Sequence, residues 1–484
     1  MSYSQILTFG LKIFQGTTFN EVNLQLEPLW TNFAKRKHYI PYSTRTVAKM
    51  LVHDKYTQTL LNRLEFSHKW FTTQISSLIL EKKHQNSNAK LNSDLQLLLN
   101  RSKALKDTIS LLKKEEKMRF QTLQQLFESF PNILHQSVPD KIQVIKTTPK
   151  ITRFGSECRD HVQLGIELDL FDLQTASNVS GHRFVYLKGD CALLAHALES
   201  WTIDLLADHG FLLISTPDVI KNDILAGCGF KPDGPSSQIY GVSHGKNHGI
   251  SLAGTAEIPL VGYYANKNLM ADLNKSDIRV CAASNCYRAE AGDRGKKIRG
   301  LYRLHQFRKI EMVCITQPDK DRSNSVFKQL VNIQESIYKM LRLPYRVIHI
   351  PADDLGDVAS RKIDIEVYMP GMGMYGEVTS ASECLGYQSS RLNIMCDSKY
   401  AYTLNATAVA IPRTLIGIIE NYQRPNGIGI PAVLQSYMRQ MTHIPIRTKK
   451  WNNGNKSIST HYLQNSIGGF SHFKADTSKL LRIV

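Results

Sequence analysis

Between Asp54 and Phe130 the chain carries neither glycine nor proline, so nothing in that stretch interrupts a helix. Apolar residues recur there at three- and four-residue spacings. Leu60, Leu64, Phe71, Ile75 and Leu78 form one series. After the polar patch HQNSNAK (84–90), Leu98, Leu105, Ile109 and Leu112 form a second, with Leu123 and Leu126 beyond. That period belongs to a helix burying one narrow stripe, and it predicts two long helices joined by a short turn and packed antiparallel. Lys103, Lys106, Lys113, Lys114 and Lys117 share the second helix. Such a row suits plain solvent and nucleic-acid phosphates equally. FPNILHQSVPD (130–140) loses the period, and its prolines mark a linker.

From about residue 150 the texture changes. Short β-like runs (FLLIST, GISLAG, IRVCAA, YRVIHI, DIEVYM) alternate with helical ones (CALLAHALESWTIDLLADHG, SNSVFKQLVNIQESIYKML, AIPRTLIGIIENYQ). Strands with a few helices around them predict an α+β fold with a largely antiparallel sheet. The last 40 or so residues, rich in Asn, Ser, Lys and His, read as a loosely ordered tail.

Composition adds limits. The 484 residues, 42% of them hydrophobic, suit two to four domains with a sizeable core. No apolar run approaches the roughly 18 residues that a membrane span needs, so no membrane association is expected. Eight cysteines are scattered from Cys158 to Cys396 without a CxxC pair, which favours free thiols over disulfides or zinc. The net charge of +18 is uneven: +11 over 1–150, +1 over 151–440 and +6 over 441–484. A balanced middle with basic ends points to a polyanionic partner, RNA or DNA. The first 50 residues hold no acid before Glu21 and a basic run, AKRKHYIPYSTRTVAK, which makes them a candidate transit segment.

The chemistry concentrates in YRAEAGDRGKKIRGLYRLHQFRKIEM (287–312). Period two puts Arg303, His305, Phe307, Lys309 and Glu311 on one face, with Arg288 and Glu290 of like parity on the preceding strand. The hairpin so predicted offers arginines that can grip carboxylate or phosphate in bidentate fashion, a flat ring at Phe307, and a basic loop between the strands. An ordinary solvated strand with surface ion pairs would look similar. TAEIPL places Thr255 and Glu257 two apart. GEVTSASEC sets Glu377 among small hydroxyls that suit metal or ammonium ligation, and Arg413 lies near the start of a helix, where the helix dipole disfavours a cation unless an anion binds. GMGMYG (371–376) fits GxGxxG, but Pro370 precedes it and a β-like segment follows, so it is not a dinucleotide site. The NVS, NKS and NAT triplets match glycosylation acceptors only by chance, since no secretory signal is evident.

Together these segments resemble the seryl-tRNA synthetases of class II, over roughly residues 150 to 440, with the helical hairpin agreeing in architecture. VSGHRFVYLKGD and the later Pro217 look like the dimer-forming first class motif, YRAE through RLHQFRKIEM like the second, and NATAVAIPR like the third. The NATAVAIPR variant is similar to animal mitochondrial forms. The resemblance implies a class II antiparallel sheet flanked by helices, with an N-terminal antiparallel helical hairpin. It divides the chain into an N-terminal extension (1–50), a tRNA-binding arm (51–135), a catalytic domain (145–440) and a basic tail (441–484). It further implies a mitochondrial matrix homodimer that joins L-serine to tRNA(Ser) with ATP and Mg2+. Thr255, Ala256, Glu257, Glu311 and Thr407 would hold serine. Arg288, Ala289, Glu290, Arg299, Arg303, Phe307, Glu377, Val378, Thr379, Ser380 and Arg413 would hold ATP, and Glu377 and Ser380 the magnesium. Arg288, Glu311 and Arg413 would carry catalysis.

Serine activation needs no general base, because the attacking carboxylate is ionised near neutral pH. Rate must come from alignment and from charge neutralisation at the α-phosphorus. Two alternatives stand beside this expectation: an inactive relative that keeps the fold as an RNA- or protein-binding module, and a class II ligase for another amino acid.

Overall fold

The computed structural model describes residues 36, 60–77, 79–80, 89–128, 130–149, 158–231, 238–244, 247–290 and 300–446. The expectations for 1–35 and 37–59, the turn of the arm over 81–88, the side chains of Leu78, Leu123 and Leu126, the basic loop 291–299 with Arg299, and the tail 447–484 lie outside them.

Eight strands build the main sheet: β1 (Gln143–Thr147), β2 (Leu212–Leu213), β3 (Ile278–Tyr287), β4 (Gln306–Thr316), β5 (Tyr345–His349), β6 (Arg361–Met369), β7 (Met374–Leu385) and β8 (Tyr402–Ala410). Their order is β1-β5-β6-β7-β8-β4-β3-β2. Neighbours run antiparallel except β2, which pairs with β3 in parallel. The antiparallel α+β expectation therefore holds.

Period two explains the layers. On β4, Ile310, Met312 and Cys314 enter the larger core. Helices α1 (Gly189–Asp208), α2 (Lys320–Met340) and α3 (Ile411–Asn421) cover that side of the sheet. Val313 and Ile315 point the other way, into a smaller core with Ile258 and Leu260. Toward the start of β4 that second face turns polar, and a cleft opens there. Caps place the helices: Asp319 accepts the Arg322 N–H at 2.7 Å to start α2, and Pro412 sits in the first turn of α3.

The arm forms as the apolar period requires. Residues 60–77 and Ala89–Glu128 are helical. Leu61 and Ile75 are buried, and from Leu95 to Glu116 the partly covered positions of the second helix are Leu95, Leu98, Ser102, Leu105, Ile109, Leu112 and Glu116. That alternating spacing of three and four is a coiled-coil seam. Lys113 meets Glu65 across it at 2.5 Å. All five lysines of the basic row are exposed.

The segment read as a linker is docked at its start. Phe130, Pro131 and Asn132 are buried, and Asn132 Nδ2 donates to the carbonyls of Val358 at 2.8 Å and Cys384 at 2.7 Å. Proline and lost period signal the end of a helix, which is not the same as exposure. Arg36 also reaches this body, donating to the carbonyls of Gly356 at 3.1 Å and Ala359 at 2.8 Å. At the other end of the chain, strand His443–Pro445 pairs with Gly427–Gly429, so residues 441–446 pack on the body.

Candidate active site

The deepest group in the cleft is Glu311, 1% exposed, opposite Ala282 on β3 and Thr407 on β8. The Thr407 hydroxyl donates to Glu311 Oε2 at 3.2 Å and that of Thr255 at 3.4 Å. Lys309, two residues back on the same face, pairs with Glu311 and donates to Thr255 Oγ1 at 2.9 Å and Thr407 Oγ1 at 3.3 Å. Period two placed Lys309 on this face without giving it a role. Its position between Phe307 and Glu311 was the available signal.

Glu257 lies at the start of the short helix Glu257–Gly262, directly after the buried Ala256. One of its oxygens accepts from both Gln388 Nε2 at 2.6 Å and Asn405 Nδ2 at 2.7 Å. The Thr403 hydroxyl donates to Gln388 Oε1 at 2.7 Å, which fixes the amide so that its NH2 group faces Glu257. Burial pushes the Glu257 carboxyl up to about 7, and Glu311 adds to this, while Lys309, Gln388 and Arg288 oppose it. Gln388 and Asn405 were missed in the sequence because only the fold brings them beside residue 257.

The open end of the cleft holds a cavity of about 180 Å³, lined among others by Arg288, Glu290, Arg303, Phe307, Glu377, Ser380 and Arg413. Arg288 and Arg303 lie beyond the strand ends, although Arg288 N–H still donates to the His305 carbonyl at 2.9 Å. The Arg288 guanidinium sits over the Phe307 ring, 5.2 Å from its centre. Glu290 has a left-handed backbone, φ 47°, and meets Arg303 at 2.6 Å. Neighbouring Ala289 donates its N–H to the Gln238 carbonyl at 2.9 Å. Arg413 donates to the carbonyls of Tyr302 at 3.2 Å and Glu377 at 3.0 Å.

A β-bulge arranges the Glu377 side. The register of β6 against β7 passes from Glu366↔Glu377 to Ile365↔Thr379, leaving Val378 unpaired. Val378 and Thr379 then both turn inward. Val378 joins the larger core, and the Thr379 hydroxyl donates to the Thr407 carbonyl and accepts from Gln334 Nε2 at 2.6 Å. Glu377 and Ser380 both reach the cavity, although strict alternation would separate residues three apart. Val378 and Thr379 therefore offer backbone rather than side chain to any ligand.

Lys362 and Asp364, also missed in the sequence, approach each other at 3.2 Å beside this floor. Burial raises the Asp364 carboxyl to about 7 against the pull of Lys362. The crowding of protein round Glu377 raises its carboxyl too, but Lys362, Arg413, Arg288 and Lys309 together outweigh that and hold it below the ordinary value. Glu377 keeps 42% of its side chain exposed. An ionised, accessible carboxylate beside a serine hydroxyl suits a hard cation that brings water and phosphate oxygens of its own. Among the described residues no group of three or more His, Cys, Asp or Glu could hold a metal unaided.

Residues 240–422 match the class II core domain of tRNA synthetases (G, H, P, S and T). The chain is 38% identical over 358 residues to the mitochondrial serine–tRNA ligase of Mus musculus, covering 71% of this chain and 68% of that one. It is 40% identical over 375 residues to the serine–tRNA ligase of Borrelia recurrentis, covering 73% and 86%. The crystal structure of the cytoplasmic serine–tRNA ligase of Naegleria fowleri in complex with AMP superposes with a TM-score of 0.74 at 25% identity, covering 87% of this chain and 96% of that one.

Proposed function

We propose, for a chain that belongs to the seryl-tRNA synthetases of class II, that it activates L-serine with ATP and transfers it to tRNA(Ser) in mitochondria. The observation that carries the chemistry is the meeting, in one cleft, of a buried carboxylate-and-hydroxyl end (Glu257, Glu311, Thr255, Thr407) with a cationic end (Arg288, Arg303, Arg413).

In this reading Glu257 and Glu311 take the serine ammonium, and Glu311 with Thr407 pairs its hydroxyl. Alanine in the pocket would leave those groups unsatisfied, which discriminates better than an apolar wall can. Lys309 neutralises part of the double negative charge. Arg288 and Arg303 meet the serine carboxylate and the phosphates, Phe307 supplies a face for adenine, and Arg413 takes the terminal phosphate. Magnesium would arrive with ATP, held by Glu377 and Ser380, and would neutralise phosphate charge. The basic row of the arm and the basic tail suit the tRNA backbone.

Dimer formation is part of the proposal. Val179, Tyr186, Leu212, Leu213 and Val219, from 45% to 66% exposed, fall in and just after the stretch read as the first class motif. Among the described residues no helix is long and apolar enough to cross a membrane. The mitochondrial assignment draws on the NATAVAIPR variant and the candidate transit segment. Arg36 is 7% exposed against the body, so processing should cut before it.

Serine-dependent exchange of pyrophosphate into ATP tests the central statement. Exchange with serine, and not with alanine or threonine in competition, is expected. No exchange, or exchange driven by another amino acid, overturns it.

A further inference from the structure

One buried pair takes no part in the roles above. His161 and Glu420 are 1% and 0% exposed, and His161 Nδ1 lies 2.9 Å from Glu420 Oε1. That oxygen also accepts the His161 backbone N–H at 3.0 Å. The other oxygen accepts the N–H groups of Gly371 at 2.9 Å and Met372 at 3.2 Å. Across the ring, Nε2 accepts the Leu301 N–H at 3.3 Å. A backbone N–H can only donate, so Nε2 supplies a lone pair and the ring proton sits on Nδ1, facing Glu420.

This pair joins four pieces of the cleft wall. Glu420 ends α3, whose first turn carries Arg413. Gly371 and Met372 form the turn between β6 and β7, and β7 carries Glu377. His161 opens the short helix His161–Glu167. Leu301 begins the segment whose Tyr302 carbonyl accepts from Arg413 and whose Arg303 lines the cavity. The glycines fit this purpose. A Cβ on Gly300, φ 64°, would lie 2.3 Å from His161 Nε2, and one on Gly371 2.3 Å from the Arg159 carbonyl oxygen. The GMGMYG run thus presents two backbone N–H groups to a buried carboxylate.

We infer that His161 is a positioning residue for nucleotide binding: by accepting the Leu301 N–H it sets Leu301–Arg303 against Arg413. It lies outside the cavity lining and acts only through that segment. The inference rests on the ATP site proposed above.

Two substitutions separate its two bonds. His161→Asn places an NH2 group where Nδ1 stood, keeping Glu420 but leaving Leu301 without an acceptor. His161→Gln brings a carbonyl oxygen to the Nε2 position, keeping Leu301. The readouts are the ATP dissociation constant by calorimetry, the KM for serine in pyrophosphate exchange, and the thermal midpoint. His161→Asn should weaken ATP roughly ten-fold with serine KM unchanged, since a buried N–H without an acceptor is costly. His161→Gln gives up the bond to Glu420 but should stay within about two-fold of the unsubstituted chain, because the Leu301 N–H keeps its acceptor. The reverse order, an equal loss in both, or no change in either overturns the inference. Should His161→Asn not fold, hydrogen exchange of the Leu301 amide in the unsubstituted protein decides. Protection like that of β4 supports the bond, and free exchange overturns it. An unsubstituted chain that neither binds ATP nor exchanges with serine sinks the proposed function. Normal ATP binding shared by both variants sinks only this inference.

Discussion

Glu257 is held by two amides and stands near a second carboxylate, and burial decides its titration. With its proton affinity raised to about 7, the group is roughly half ionised at neutral pH. An ammonium ligand needs the ionised form, so serine KM should fall as pH rises, by roughly ten-fold between about pH 6 and 8. A flat profile would remove Glu257 from the pocket. The stability consequence has the opposite sense. From the ordinary 4.5 up to about 7 the folded chain binds the proton better than the unfolded one, so stability falls as pH climbs through that window. Glu257→Gln should therefore raise the thermal midpoint near pH 8, leave it unchanged near pH 4, and abolish serine activation. Glu311→Ala should also abolish activation with the fold intact, as read by circular dichroism. Turnover at an unchanged serine KM would clear Glu311 of any role.

At the level of elements, the cleft depends on a strand that breaks its own alternation. The bulge at Val378 turns Glu377 and Ser380 toward one side. Gly376 precedes it, and a Cβ there would lie 2.7 Å from the Tyr302 ring and 2.9 Å from Met369. Gly376→Ala should push Tyr302, whose carbonyl Arg413 holds, and raise the KM for ATP several-fold with a smaller effect on serine. Equal kinetics would show that the ring yields freely. The arm is a separate lever. Its seam is narrow and its lysines exposed, and its root is pinned through Asn132. Removing residues 54–128 should leave pyrophosphate exchange intact and reduce aminoacylation of tRNA(Ser) by an order of magnitude or more. Undiminished aminoacylation would mean that the arm reads no tRNA.

On the scale of the whole molecule, the sheet ends on an apolar edge. Leu212 and Leu213 are 64% and 49% exposed on β2, a surface that water alone covers poorly. Replacing both with glutamate should shift the chain from dimer to monomer in sedimentation. A monomeric unsubstituted chain would end the dimer proposal.

Periodicity specified the arm's helices, since a narrow stripe recurring every three or four residues fits a helix that buries one face, and the absence of glycine and proline lets it run long. It also specified the two faces of β4, because side chains on a strand must alternate. What pattern could not reach was anything set by distant pairing. Gln388 and Asn405 meet Glu257, and His161 meets Glu420, because strands and helices far apart in sequence are brought together by the cores between them. The bulge belongs with these. An extra residue is invisible until a partner strand counts it, and only the paired sheet decided that Glu377 and Ser380 share a cavity.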